Sequence, residues 1–555
     1  MEELGNIKLD KAYFESRRRE LEVPYNQMRS TWQELADHFL PRSVRFIAKN
    51  VNKAPEKNKK IKDSATLKAV RNFSSGMMSG ATNPATNWFR IRIKNYNMKY
   101  DWAAKKWCSV VETVFKDVFN ASNFYAKLPA AYKQLGVFSL STLSLESNVN
   151  TVMRVKLLPI GSYRYAKNED GEVDTMCRVY METARNLYTK FGKDNVSKTV
   201  LNCIKNKQYE ELFEVVHFVE PNAEYLPDSV WAKHKKFISV YYETSSGEKD
   251  KLLSKSGFDE FPYVVFEGEV NGEDIYPSEG CGMNALPDAK QLMSMVVDEG
   301  KTIKKINSPQ LRGPAELKNK KLTDQPATFT ENNQNGDGLQ PIYQVPPQVV
   351  QPLEALIESK RQSIYELFFN DLFAMILNTA ERGRTATEVN ELKEEKMVLL
   401  SPILEQVHSG LKTVMKWIFG ESMQMGIIPP PPPTIQNGEL EIEFVSMLAQ
   451  AQKAQKIAGI ERWCTFTINL AQGVGDPMLA KKLNAAKIVD DYADFVNINP
   501  EQVVPTEDVE KLRELQAQKQ QQAEQMAALQ QGSEIIKNVG GADAFGGELM
   551  ARIGL

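Results

Sequence analysis

The chain has 555 residues, a length that allows roughly three or four domains. Its 42% hydrophobic and 25% charged residues are typical of globular proteins, so a disordered chain and a small disulfide-stapled scaffold are both excluded. The 69 Lys and Arg residues against 71 Asp and Glu residues give a formal charge of -2, which argues against a protein that holds nucleic acid through a large basic excess.

The cysteines and the N-terminus indicate the compartment. An odd number of widely separated cysteines favours neither a disulfide framework nor a clustered metal site, and fits a reducing compartment. The first residues show no basic segment followed by an apolar one, and no apolar run reaches the roughly 18 residues of a membrane span. We therefore expect a soluble protein, made in the cytoplasm, with no membrane contact.

Motifs for catalysis are missing from the sequence. The pair Gly280 and Gly282 lacks the third glycine of a phosphate-binding loop. His217 lies in an apolar run typical of a strand. The acidic pairs 394–395 and 490–491 could hold a hard cation, but on helices they more often mark a solvated face. We expect no catalytic residue, no metal and no cofactor.

The first half of the chain predicts mixed helices and strands. Amphipathic helices are expected at residues 10–40, from Asp63 onward and at Trp102–Phe119, and a strand at 88–94. Between Gly136 and Phe266 the pattern favours strands, with one helix among them. The strands are expected at Val149–Leu157, Val173–Met181, Leu212–Val219, Phe237–Tyr242 and Tyr263–Phe266, and the helix at Thr183–Gly192. The fold class is thus α+β and mainly helical, with a small β-sheet or barrel.

The second half predicts two long helices joined by an irregular head. The segment Leu286–Ile306 carries apolar residues at heptad-like spacing. Residues 307–351 are rich in Pro, Gly, Asn and Gln, and a second helix begins with Pro352 in its first turn and runs to residue 377. These features predict a helical hairpin with a head.

A short loop and further helices follow the hairpin. Residues 378–384 cannot easily continue the helix, and a capping box at Thr385 and Glu388 restarts one that runs to about Gly420. A strand is expected at 439–445 and a helix at 449–471. The tail from 506 to 531 is a glutamine-rich helix with a thin apolar seam.

Five separated stretches share their order and spacing with one protein family. They are Arg29–Pro41; Ser74–Ser79 with Asn83-Pro84 and Trp88-Phe89; Tyr276–Gly280 with Ala285–Asp288; Thr385–Val389; and Phe444–Ser446 followed by Ala449–Lys453. Together they resemble the head-to-tail connecting (portal) proteins of short-tailed double-stranded-DNA bacteriophages. The resemblance covers about residues 30 to 500.

The resemblance implies a portal-type ring subunit with wing, stem, clip and crown. It places the wing at residues 1–275, the first stem helix at 276–306, the clip at 307–351 and the second stem helix at 352–377. It assigns 378–384 to a tunnel loop, 385–500 to a wing helix, connector and returning strand and helices, and 501–555 to the crown and C-terminal tail.

The resemblance also implies partners and a location. The ring would be dodecameric, at one capsid vertex, and would pass double-stranded DNA during packaging and ejection without reading its sequence. The partners would be the major capsid protein, the terminase large subunit, a tail adaptor or head-completion protein, and scaffolding or internal core proteins. The expected location is the virion, and the host cytoplasm during assembly.

Three groups of residues are candidate functional sites under this interpretation. Stem charges expected to line the channel are Asp298, Glu299, Lys301 and Lys305, and side chains expected to pack stem helices in the ring are Met293, Val296, Ile303, Leu356 and Ile364. The tunnel-loop residues Arg382, Gly383 and Arg384 could touch passing phosphates. The alternative for these arginines is an interaction with Glu388 at the start of the next helix.

Two other functions remain open from the sequence. A metal-dependent nucleic-acid-processing enzyme would be favoured if a carboxylate cluster bound Mg²⁺. A head-completion protein or tail adaptor is the other alternative, although such proteins are usually shorter. A near-neutral chain favours the portal, because a strongly basic channel would hold DNA rather than let it pass.

Overall fold

The computed structural model describes most of the chain in two compact units. The described residues are 9–47, 59–94, 102–227, 229, 231–244, 251–272, 274–312, 340–343, 345–377, 386–433, 440–445, 447–476, 478, 482–496, 502, 504, 509, 511–523 and 525–526. Residues 1–90, 111–430 and 442–448 form the first unit, and residues 91–110, 431–441 and 449–555 form the second.

Four helices and a strand open the chain, largely as the apolar periodicity predicts. Helix α1 begins after Asp10, whose side chain accepts a hydrogen bond from the Tyr13 backbone N–H at 3.0 Å and so caps the helix. The helix expected to end before Pro41 does end there. The sequence gives no expectation for α4. The elements are α1 Lys11–Phe39, α2 Ala65–Ala81, β1 Phe89–Ile93, α3 Trp102–Ala121 and α4 Phe124–Phe138.

Two open antiparallel sheets form the strand-rich part, so the sheet alternative is the one observed. The five-stranded sheet has the order β4-β5-β6-β7-β8 and the three-stranded sheet the order β3-β2-β9. Their strands are β2 Leu140–Asn148, β3 Val152–Leu157, β4 Tyr163–Lys167, β5 Val173–Thr183, β6 Leu212–Pro221, β7 Phe237–Glu243, β8 Ser254–Phe258 and β9 Tyr263–Glu267.

The expected strands are confirmed, and three further strands complete the sheets. Strand β2 is the central strand of its sheet, although its polar and apolar residues do not alternate. Its polar residues Ser141, Thr142 and Ser144 are buried together with the neighbouring leucines. Strands β4 and β8 form the two edges of the other sheet. The expected helix is confirmed as α5 Ala184–Phe191, capped by Thr183 and Gly192, and a further helix, α6, spans Lys198–Lys205.

Each face of the five-stranded sheet carries helices. On one face, Phe14 and Leu21 of α1 pack on a buried cluster that includes Val216, Phe218 and Val240. On the other face, α5 and α6 pack through a second cluster that includes Val215. Because neighbouring residues of a strand point to opposite faces, Val215 and Val216 serve the two clusters separately.

The two expected long helices are present, but the second is broken. Helix α8 ends at Leu367 and α9 begins at Asn370, so a continuous helix over 352–377 is wrong. At the break Phe369 has a φ of 54°, while the ring of Phe368 packs against Phe39 and Phe73 at centroid distances of 5.5 and 6.2 Å. The break therefore lies where the Phe368 ring is fully buried between side chains of α1 and α2. The elements are α7 Cys281–Asn307, β10 Leu311–Arg312, β11 Gln340–Pro341, α8 Val350–Leu367 and α9 Asn370–Leu377.

The restarted helix, the returning strand and the helix after it are found as the sequence predicts, and a further helix without a sequence expectation follows at 485–496. The restarted helix is α10 Ala386–Gln424, the returning strand is β12 Leu440–Phe444, and two helices follow, α11 Met447–Val474 and α12 Ala485–Val496. Within the described ranges, every helix is too short or too polar to span a bilayer.

Candidate functional site: a helical hairpin

Helices α7 and α8 form an antiparallel hairpin in the first unit. Leu311 and Arg312, just after α7, pair with Pro341 and Gln340, just before α8. The Ile342 backbone N–H donates to the Gln310 carbonyl at 2.8 Å and extends this closure. The far ends of the two helices are therefore fixed beside each other, as the expected hairpin with a head requires.

The near end of the hairpin is embedded in its own subunit. Ala285, Ala289, Leu292 and Met293 lie one or two turns apart on α7 and are all buried. The Met293 thioether accepts hydrogen bonds from the backbone N–H groups of Lys62 and Asp63, at 3.1 and 3.3 Å. The segment before α2 therefore covers this part of α7.

A carboxylate joins the two helices at this embedded end. Asp288 accepts a hydrogen bond from Lys360 Nζ at 2.8 Å and another from Ser363 Oγ at 2.6 Å. The bonds from Lys360 and Ser363 hold the pKa of the Asp288 carboxyl below its usual value. Because Asp288 is near the start of α7 and its partners are near the end of α8, the bonds fix the antiparallel register.

A second ion pair ties α8 to the segment before α2. Arg361 donates to one oxygen of Asp63 from Nη2 at 2.7 Å and from Nε at 3.2 Å. The Asp63 side chain is almost fully buried, and charged hydrogen bonds raise the pKa of Arg361. The guanidinium therefore stabilises a carboxylate that would otherwise be costly to bury.

Beyond Met293, helix α7 leaves the body of the subunit. None of its residues 294–307 is buried, although 281–293 contains six that are. At 1.5 Å per residue this outer part is about 20 Å long. On α8, residues 350–356 are likewise half-buried or exposed, and Leu356 keeps 53% of its surface accessible. The outer half of the hairpin thus presents its sides to solvent in a single subunit.

The residues expected to pack stem helices in a ring fall into two groups. Met293 and Ile364 are 5% and 0% exposed, so their own chain already covers them. Val296 is half-buried, and Ile303 and Leu356 are exposed. Of the five expected residues, only these last three keep accessible apolar surface in the single chain, and their contact with another copy stays a prediction.

The four charges expected to line a channel lie on the outer half of α7. Asp298 accepts a hydrogen bond from Lys301 at 3.0 Å, and both side chains are more than half exposed. Glu299 is half-buried and Lys305 is exposed. The exposed Lys304 lies on the same stretch, so residues 294–307 hold two acidic and three basic side chains and carry a net charge of +1.

Several expected features lie outside the described residues. They include the tunnel-loop residues Arg382, Gly383 and Arg384. They also include residues 313–339 of the expected clip. Their placement stays a prediction.

The residues considered for other chemistry have structural roles. A Cβ atom on Gly280 would overlap Ser139, so glycine is required for close packing. His217 on β6 bonds Ser239 on β7 at 2.9 Å, and it bonds Tyr263 on β9 of the other sheet at 2.6 Å. Among the described residues no group of three or more His, Cys, Asp or Glu side chains is placed to hold a metal ion.

The sequence interpretation missed the Asp288 contact, although a signal for it exists. Asp288 falls on the same helical face as Ala285, Ala289 and Leu292, which makes it a lone carboxylate inside an apolar stripe. Such a residue needs a polar partner from another element. The pairing of Asp63 with Arg361 has no comparable signal, because the two residues are 298 positions apart.

Comparison with known proteins places the chain in a family. The family model described as bacteriophage head to tail connecting protein matches residues 11–504. The portal protein of Salmonella phage epsilon15 is 34% identical over 542 residues, which cover 97% of this chain and 94% of that protein. The probable portal protein of Bordetella phage BPP-1 is 31% identical over 518 residues, which cover 93% and 92%.

A solved structure is similar at a lower level. The neck of an empty gene transfer agent (GTA) particle matches with 8% identity and a TM-score of 0.36, over 71% of this chain and 86% of that one, a score too low to establish a common fold. The family match spans most of the chain and both relatives exceed 30% identity over nearly their full lengths. The chain therefore belongs to the bacteriophage head-to-tail connecting proteins.

Proposed function

We propose that the chain is the subunit of a dodecameric portal ring at one capsid vertex, the channel through which double-stranded DNA is packaged and later ejected. The observation that carries the proposal is the outer half of the α7–α8 hairpin, which leaves its subunit without a covering element among the described residues. Membership of the head-to-tail connecting family supports an arrangement in which hairpins from several copies of the chain pack side by side.

Exposed apolar side chains support packing between copies. Val297, Ile303 and Leu356 are 36%, 40% and 53% exposed on the two helices of the hairpin. Apolar surface concentrated on a protruding rod marks an interaction site rather than scattered surface residues. A single heterologous contact, repeated around an axis, closes into a ring. In this arrangement α7 and α8 are the stem.

The charge pattern of α7 supports a channel that does not hold its cargo. Each phosphate neutralised by a basic side chain adds to salt-dependent binding of DNA. Asp298 and Glu299 offset two of the three lysines at 301, 304 and 305, so a wall built from this stretch is only weakly basic and attracts the duplex weakly. Arg382 and Arg384, in the tunnel loop with Gly383, are then the residues that touch the DNA backbone.

The remaining assignments follow the family. Residues 307–351 form the clip, which binds the terminase large subunit and then the tail adaptor or head-completion protein. Residues 1–275 and 385–500 form the wing, which faces the major capsid protein, and residues 501–555 form the crown, beside scaffolding or internal core proteins. The ring is a virion component that assembles in the host cytoplasm.

The test is imaging of the purified full-length chain with symmetry counting. Rings with twelve subunits and an axial hole wide enough for a duplex are the expected result. Monomers only, across a wide range of concentration and salt, would contradict the proposal.

The same preparation tests the enzymatic alternative. In this proposal the chain has no catalytic activity of its own, in keeping with relatives that are portal proteins. Incubation with DNA or ATP and Mg²⁺ is expected to leave both intact. Metal-dependent hydrolysis that co-purifies with the chain, and is lost on replacing its carboxylates, would favour a nucleic-acid-processing enzyme.

A further inference from the structure

A polar cavity of about 400 Å³ lies in the strand-rich part of the first unit, apart from the hairpin. Its floor is a row of side chains across three strands, in which Arg178 on β5 is opposite His217 on β6, and His217 is opposite Tyr241 on β7. Residues of β2 and β3 and the end of α5 form the walls. The cavity is large enough for a small polar ligand with its water.

The histidine in the floor is neutral and fully partnered. His217 stacks on Tyr241 with ring centroids 3.9 Å apart and bonds Ser239 and Tyr263 through its two ring nitrogens. Burial, with help from Arg178, Lys190 and Lys156, lowers its pKa well below the usual value. The positive character of the cavity therefore comes from the cations around it.

Four cations line the cavity against two carboxylates. They are Arg45, Lys156, Arg178 and Lys190, and the carboxylates are Glu146 and Glu182. Both carboxylates are engaged by their neighbours. Glu146 accepts a hydrogen bond from Lys156 at 2.6 Å, and Glu182 accepts one from the Asn186 amide at 2.7 Å.

The other three cations make no ion pair within the described part of the chain. Arg178 lies over the Tyr180 ring at 4.5 Å, and its Nε is buried without a hydrogen-bond partner. Lys190 lies at the mouth with its Nζ 4.4 Å above the Tyr241 ring, and Arg45 is half-buried in the wall. Burial and the nearby Lys156 and Arg178 lower the pKa of Lys190 despite its two glutamate neighbours.

These cations lie against aromatic rings of the cavity. Arg178 lies 4.5 Å from the centroid of the Tyr180 ring, and Lys190 and His217 lie against the ring of Tyr241. What the cavity offers is N–H donors with positive charge, of which the guanidinium is suited to binding two oxygens at once.

We propose that this cavity is a binding site for a small oxyanion of the phosphate or carboxylate class. The anion accepts hydrogen bonds from Arg178, including its buried Nε, and an ion pair from Lys190 at the mouth. It thereby compensates the excess positive charge of a lining that holds four cations and two carboxylates. Every residue that lines the cavity belongs to the first unit.

The test is binding of inorganic phosphate to the full-length chain by calorimetry and by thermal shift, with chloride adjusted to hold the ionic strength constant. Wild-type protein is expected to bind phosphate and to melt at a higher temperature in its presence. Arg178→Gln is expected to weaken binding by about tenfold or more. Arg71→Gln, which removes an equal charge from the exposed face of α2, is the matched control and leaves binding unchanged.

Lys190→Gln is a second variant that guards against misfolding, because Lys190 is partly exposed and glutamine keeps much of the aliphatic part of the side chain. It is expected to weaken phosphate binding while the melting temperature without phosphate stays the same. The proposal is overturned if wild type shows no phosphate-specific shift, or if Arg71→Gln reduces binding as much as the two cavity variants.

A further arm identifies the source of the oxyanion. Acetate and phosphate are each added during assembly. If either anion opposes association of the chains and Arg178→Gln does the same, the natural ligand is a carboxylate of a second copy. If association is unaffected while phosphate still binds, the ligand is a free anion. Both results agree with an oxyanion site, and failure of the chain to form rings would leave the binding result intact.

Discussion

Asp288 on α7 and Lys360 on α8 are 72 positions apart in the sequence, yet their charged atoms are 2.8 Å apart across the hairpin. With Ser363 as a second donor, this carboxylate fixes how the two helices meet where they enter the subunit. The contact is local, but it sets the direction of the outer, uncovered half of both helices.

Asp288→Asn is expected to destabilise the first unit by about 1 kcal/mol near neutral pH, because a partly exposed charged bond is replaced by a neutral one. The pKa of Asp288 is lowered in the folded chain, so its contribution is present above the pKa of an unfolded aspartate and is lost as the pH falls through the folded pKa. Thermal melting of both proteins over a pH series measures this.

The matched control is Asp298→Asn, which breaks an exposed pair on the same helix. It is expected to change stability by less than about 0.5 kcal/mol. If the difference in melting temperature between wild type and Asp288→Asn stayed constant down to acid pH, the stabilising role of the ionised Asp288 carboxylate would be contradicted.

Gly76→Ala is expected to destabilise the chain by roughly 1 to 3 kcal/mol, because a Cβ at this position would overlap the buried ring of Phe373. Gly80, four residues later in the same helix, has nothing within 4 Å of the corresponding position. Gly80→Ala is therefore expected to stabilise the chain by about 0.4 to 1 kcal/mol. Denaturant midpoints of the two variants should move in opposite directions, and a shared direction would refute the packing argument.

His408 is expected to make stability fall in mild acid. Its ring stacks on Phe444 with centroids 4.2 Å apart, and burial together with Lys412 lowers its pKa to about 4. Between the usual histidine pKa and about 4 the unfolded chain binds a proton that the folded chain does not, so stability declines as the pH falls through this range.

The loss associated with His408 is roughly 2 to 3 kcal/mol across that range. In His408→Gln, the free energy of unfolding is expected to fall less steeply with decreasing pH in this range. An NMR titration of the wild-type ring should show no protonation at pH 6. A ring that titrates near the ordinary histidine value would disprove the prediction.

Leu356→Glu is expected to prevent ring formation while leaving the folded subunit intact. Leu356 is 53% exposed in the single subunit, so the substitution costs less than about 0.5 kcal/mol there. In the proposed ring the same change places a charge in an apolar contact. Gln351→Glu, an exposed position about 140° around the same helix, is the control. Mass photometry and imaging report assembly, and rings of Leu356→Glu at wild-type yield would exclude Leu356 from the interface.

The parts of the fold that follow local rules could be predicted from the sequence. Helix α5 lies between Thr183 and Gly192 as expected, because a threonine cap and a terminal glycine are read locally. The two hairpin helices carry apolar stripes and are separated by residues that disfavour helix. Their existence is therefore visible without tertiary information.

The parts that depend on distant segments could not be predicted. The sequence of strand β2 contains the polar residues Ser141, Thr142 and Ser144, which suggest an exposed segment. These residues are nevertheless buried, because other elements cover both faces of the strand. The helix break at Phe369 could not be predicted, because the sequence around it contains no glycine or proline. Likewise, Met293 is expected at an interface from its helical position, and its burial depends on residues 62–63, which lie 231 and 230 positions away.

The two-residue ladder of β10 and β11 has a consequence for how relatives of this chain can vary. It holds Arg312 opposite Gln340, so the segment between them leaves and re-enters the hairpin at one fixed gap. Lengthening or shortening that segment changes the entropy of loop closure by only a small amount, and it need not move helix α7 or helix α8. The segment between β10 and β11 can therefore change in length while α7 and α8 keep theirs.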